Sequence, residues 1–145
     1  MKTLTRRWGA LAAFALWSTV PQVMRAAEPC KLLTVQEVGQ VLGAAVSAMP
    51  LGTTGCFWTG GAQRASIVLR DASAWARLTA QGPGAPKTSV SGLGEAAQYS
   101  GKEDALTLSV KQGAHVIVLT VYGVKGIERQ RSSEESLARL ALRRL

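Results

Sequence analysis

Histidine is nearly absent from this chain of 145 residues, cysteine occurs twice, and acids are outnumbered nine to seventeen by lysine and arginine. Each scarcity excludes a class of chemistry. Two thiols without spaced histidines do not complete a tetrahedral metal set. Cys30 and Cys56 are too far apart for the Cys-x-x-Cys spacing of a redox-active pair. No Gly-x-Ser-x-Gly elbow presents a nucleophile to the single histidine, His115. His115 sits at a predicted strand start beside a turn, where a partly exposed residue is the simpler expectation than a catalytic base. The stretch Gly82-Pro-Gly-Ala-Pro86-Lys87-Thr88 has glycines and a lysine but is no phosphate loop, because Pro86 lacks the backbone N–H that such a loop uses. Glu103 and Asp104 are adjacent, so in a strand they point to opposite faces and in a turn they are solvated. We therefore expect no catalytic residues, no metal and no cofactor. A small hydrolase with an unrecognised site stands as the alternative.

The chain also lacks an apolar run long enough to cross a bilayer, which takes about 20 residues. What it has is shorter. Lys2, Arg6 and Arg7 precede the uncharged run Gly9–Val20, Pro21 breaks that run, and Ala26-Ala27 follows. This is the basic, apolar and small-residue order of a cleavable export signal, so residues 1–27 are expected to be a leader and 28–145 one exported domain. Thr5-Arg6-Arg7-Trp8 resembles a twin-arginine signal. An uncleaved anchor, and with it a structural envelope protein, is the competing expectation. Glu28-Pro29 before Cys30 is not the context of a lipid-attachment cysteine. Lys2, Arg6, Arg7 and Arg25 lie in the leader with no acid, and removing these four from a net +8 leaves +4. That mild charge does not mark a nucleic-acid binder. The expected location is periplasmic or secreted, with no membrane span once the leader is gone. In such a compartment a lone cysteine pair reads as one disulfide, Cys30–Cys56.

Hydrophobic patterning predicts an α+β fold: an antiparallel sheet of about five strands with an N-terminal, a middle and a C-terminal helix. Thr34 and Glu37 form a capping box ahead of Val38, Val41 and Leu42, and Gly43 ends that helix. Ala44 to Gly55 reads as a short strand and turn. Cys56–Thr59 and Ala65–Arg70 read as a hairpin, and Asp71 or Ser73 as caps of a short helix carrying Trp75. Ala96–Tyr99 is a further strand. Leu106, Leu108 and Val110 alternate with polar residues, Gln112-Gly113 is a turn, and His115–Tyr122 is apolar on both sides, as in a central strand. Ser132 and Glu135 predict the cap of the last helix.

Cys30-Lys-Leu-Leu-Thr34, Glu37-Val38, Leu42-Gly43, Cys56-Phe-Trp58, Val90-Ser-Gly-Leu-Gly-Glu-Ala96, Leu106–Tyr122 and the Leu-Ala-containing end at Arg144-Leu145 follow one another in the chain. Together they resemble the small bacterial secreted and lipoprotein domains of unknown function abundant in actinobacteria and soil proteobacteria. The resemblance implies a disulfide between the two cysteines and a curved antiparallel sheet with helices, similar to the PsbP-like accessory domains. It implies no activity for any residue. The function expected is that of a non-enzymatic binding or accessory module for a protein or a small apolar ligand. Trp58, Trp75 and Tyr122 are its candidate surface, although Trp58 and Trp75 also suit a core. Lys125, Arg129 and Arg131 form a basic cluster, a solvated helix face or a contact for an anionic envelope surface.

Overall fold

A computed structural model describes residues 28–80, 87–102 and 105–145. The expected leader, most of the glycine–proline loop and the pair Glu103-Asp104 lie outside the described residues. The chain opens with a 3₁₀ turn, Pro29–Lys31, and helix α1, Val35–Leu42. A meander follows: β1 (Ser47–Leu51), β2 (Gly55–Gly60) and β3 (Gln63–Asp71). A second 3₁₀ turn and the short helix α2 (Trp75–Thr79) lead to β4 (Lys87–Val90), β5 (Ala96–Ser100), β6 (Thr107–Gln112) and β7 (His115–Tyr122). Helix α3, Ile127–Leu142, completes the fold.

The strands form one seven-stranded sheet in the order β1-β2-β3-β7-β6-β5-β4, antiparallel at every pairing. The class is the α+β one expected, but the sheet has seven strands where about five were predicted. The additional strand β4 is an edge strand whose residues are exposed or half-buried, so no apolar alternation marks it. The other edge, β1, is exposed along its whole length and carries Pro50, which suits an edge because proline donates no ladder hydrogen bond. Strand β7 is apolar on both sides because it stands in the middle, between β3 and β6.

One face of the sheet holds the core. Trp58, Ile67, Leu108, Val110, Ile117 and Leu119 pack there with Leu137, Ala138 and Ala141 of α3 and with Val38 and Leu42 of α1. The predicted capping box of α1 is present: Thr34 Oγ1 accepts from Glu37 N at 3.2 Å, and Thr34 N donates to Glu37 Oε2 at 2.9 Å. Gly43 ends the helix at φ 73°. Cys30 and Cys56 form the disulfide, which ties the first turn to β2.

Three local expectations fail. The cap of α3 is not Ser132: the helix begins at Ile127, and Ser136 Oγ donates to Ser132 O at 2.7 Å from within it. The polar run Glu128–Arg131 hid this first turn. Neither Asp71 nor Ser73 caps α2, whose preceding turn has no side-chain cap. The β6–β7 turn is Gly113-Ala114 rather than Gln112-Gly113, because Gln112 still pairs with His115. Gly113 takes φ 55° there, a conformation glycine adopts freely.

Candidate binding face

Side chains alternate across a strand, and cross-strand partners share a face. The register therefore assigns every residue of the second, outer face. Met49 lies opposite Phe57, Phe57 opposite Ser66, and Ser66 opposite Thr120. Leu51 pairs with Gly55, Gly55 with Val68, and Val68 with Val118. Arg64 pairs with Tyr122. Met49, Tyr122 and Leu51 are 55%, 43% and 42% exposed, and Phe57, Val68 and Val118 are half-buried. By this register Met49, Leu51, Phe57, Val68 and Val118 make an apolar area over β1, β2, β3 and β7, and Tyr122 lies on the same face beyond Arg64 and Thr120.

The rest of the outer face is treated differently. Lys87 lies on it, since it pairs with Ser100, and its Nζ donates to the carbonyls of Thr79 and Ala80 at the end of α2. At the other end of that segment Ala72 N donates to Ala114 O at 2.9 Å. Helix α2 is thus held to the sheet from the β7 end to β4, and Val116, Ser109 and Thr120 on that side are buried. Helices α1 and α3 cover the inner face. Among the described residues, no helix lies over the area around Leu51 and Tyr122.

Its charge is one-sided. Arg64 and Arg70 are exposed, belong to the outer face, and among the described residues make no ion pair or side-chain hydrogen bond. Strands β1, β2, β3 and β7 place no acid on this face, because Asp71, the only acid in them, has the opposite parity. Lys111 of β6 is matched by Glu95 at 3.2 Å.

A concavity of about 630 Å³ lies between α3 and the β4–β5 edge. Its walls are mostly polar, and its charges are already matched. Tyr99 Oη donates to Arg131 O at 3.0 Å or to Glu135 Oε1 at 3.2 Å. Burial, then the nearby Glu135 carboxylate, raises the Tyr99 phenol well above its usual range. The Arg131 guanidinium stands 5.5 Å over the Tyr99 ring, and Arg139 Nη2 reaches Glu135 Oε2 at 3.3 Å.

The predicted surface residues separate. Trp58 is fully buried in the core, and among the described residues its Nε1 has no hydrogen-bond partner. It faces inward from β2, so it shares no surface with Tyr122, which faces outward from β7. Trp75 is half-buried at the start of α2. His115 is half-buried opposite Asp71. It is not among the residues lining the polar concavity. Arg131 leaves the basic cluster for Tyr99 and Glu128, while Lys125 and Arg129 are exposed.

One buried acid escaped the sequence. Glu134 is fully buried; its Oε1 accepts from Val121 N at 3.0 Å, and Gln130 Nε2 donates to Val121 O at 2.9 Å. One helical turn apart on α3, the two side chains take both backbone groups of Val121 beyond the end of the β6–β7 ladder. Burial pushes the Glu134 carboxyl up to about 8. A lone glutamate in a polar helix segment carries no pattern that announces this.

Among the described residues, no group of three His, Cys, Asp or Glu could hold a metal ion, and no helix is long and apolar enough to cross a membrane. Compared with protein-family models, curated proteins and solved structures, the chain matches none.

Proposed function

We propose that this chain is an exported, non-enzymatic binding module, periplasmic or secreted, that receives a protein partner on the outer face of β1, β2, β3 and β7. The observation that carries the reading is the grouping of exposed Met49 and Leu51 with half-buried Phe57, Val68 and Val118 on one sheet face, with exposed Tyr122 on that face beyond Arg64. Contiguous exposed apolar area is the usual mark of an interaction site. An open face suits a protein surface better than a small apolar ligand, which needs a concave, mostly enclosed pocket. The disulfide supports an oxidising compartment. The basic and apolar order of residues 1–27 supports export.

The location is tested by mass spectrometry of the full-length gene product recovered from the exported fraction. The expected mass lacks the leader and is lower than the reduced form by two hydrogens. An intact leader with free thiols contradicts the proposal. The face is tested by Leu51→Ser combined with Met49→Ser, which should leave the fold intact by circular dichroism and abolish partner binding.

A further inference from the structure

We infer that the partner presents an acidic amphipathic helix, laid along β3 with its apolar stripe on Val68 and Leu51 and its carboxylates at Arg64 and Arg70. The inference rests on the binding face proposed above and names what that face selects. Arg64, Ser66, Val68 and Arg70 share the outer side of β3. At about 3.3 Å per residue, the two arginines stand about 20 Å apart with Ser66 and Val68 between them. A helix rises 1.5 Å per residue with 3.6 residues per turn, so acids about 14 positions apart, nearly four turns, match that span on one side of it. A helix fits better than an added strand, because the middle of a sheet face offers side chains and no free backbone edge.

Charge decides among the possible occupants. A second copy of the chain in a two-fold dimer would bring this face against itself, arginine facing arginine, and among the described residues β1, β2, β3 and β7 place no acid there to match them. The chain's own first 27 residues carry four basic side chains and no acid, so the same repulsion acts against them. An external segment with carboxylates flanking an apolar stripe meets both features at once, and charge complementarity of this kind selects partners and steers their encounter.

The test uses the leader-free, disulfide-bonded chain and an 18-residue helical peptide. The peptide has leucines at i, i+3, i+4 and i+7 and glutamates near both ends; a counterpart carries lysine at each glutamate. The glutamate peptide should bind at least tenfold more tightly than the lysine peptide, and the preference should shrink as salt rises. Arg64→Glu with Arg70→Glu should invert it. Leu51→Ser with Met49→Ser should abolish binding of either peptide. Equal binding of both peptides that is lost in the serine variant overturns the acidic partner and leaves the binding face standing. Binding that survives the serine variant overturns the face itself. No saturable binding of either peptide overturns the inference. So does tighter binding to vesicles of anionic phospholipid than to the glutamate peptide, in favour of a lipid surface.

Discussion

Arg144 grips Glu37 with both guanidinium nitrogens: Nη2 donates to Oε1 at 2.7 Å and Nη1 to Oε2 at 3.0 Å. The same Nη1 donates to Leu32 O at 2.9 Å. The last turn of the chain is thereby fixed to the first helix through the carboxylate that already closes the α1 capping box. Bidentate arginine–carboxylate pairs are the most directional of ion pairs.

This pairing makes α1 sensitive to acid. The Arg144 guanidinium, followed by the Thr34 backbone N–H, holds the Glu37 carboxyl at about 2, against an ordinary 4.5. A folded-state value below the unfolded one stabilises above 4.5, and that contribution is lost as the pH falls toward 2. In the Arg144→Ala variant the Glu37 carboxyl should titrate closer to its ordinary value by NMR. Thr34→Ala should cost about 1 kcal/mol in urea denaturation.

Glu134 acts with the opposite sign. Its carboxyl is raised from 4.5 to about 8 by burial, so the folded chain holds a proton that the unfolded chain releases. The stability this confers is full below pH 4.5, falls as the pH rises, and is gone above 8. Denaturation at pH 5, 7 and 9 should show the decline, on the order of a few kcal/mol. Glu134→Gln should flatten it. Glu134→Ala should lower stability even at pH 5, by about 1–3 kcal/mol, because Val121 N loses its acceptor.

Trp58 and Tyr122 stand on opposite faces of one sheet, and their substitutions should separate cleanly. Trp58→Ala empties the core and should cost about 3–5 kcal/mol. Trp58→Phe should cost less, since among the described residues the indole N–H has no partner to lose. Tyr122→Ala should change stability by about 0.5 kcal/mol or less, as an exposed site does. Urea denaturation of the three variants checks all of this.

The disulfide closes a loop of sequence separation 26. Cys30→Ala with Cys56→Ala should lower stability by about 3 kcal/mol. Denaturation of the oxidised and the double-alanine chains measures the difference.

Much of the fold was legible where local rules and tertiary structure agree. Val116 to Val121 read as a central strand, and β7 does pair on both edges, with β3 and with β6; Thr34 with Glu37 marked the start of α1. Legibility ended where the environment, not the residue, decides. Thr88 and Ser89 belong to an edge strand that buries little, so their polarity concealed β4. Glu134 lies in a charged run, and only the end of the β6–β7 ladder explains its burial. For the candidate face, Tyr122 was visible but its companions were not. Ala44 to Gly55 read as a short strand and turn, and with Pro50, Gly52 and Gly55 in it no apolar alternation assigned Met49 and Leu51 to a face. Whether Trp58 points inward depends on the register of β2 against β3, which residue types alone do not set.

The central claim is that one sheet face, and no other apolar surface, meets a protein. Val35 and Leu145 are 48% and 37% exposed but belong to no strand, so they serve as internal controls for Met49, Leu51 and Tyr122. The decisive measurement places a photo-crosslinking side chain at each of these five positions in turn, in the producing cell. One shared adduct is expected from Met49, Leu51 and Tyr122, lost in the Arg64→Glu, Arg70→Glu background, and none from Val35 or Leu145. Adducts of equal yield from all five positions, or from the two controls alone, would contradict it.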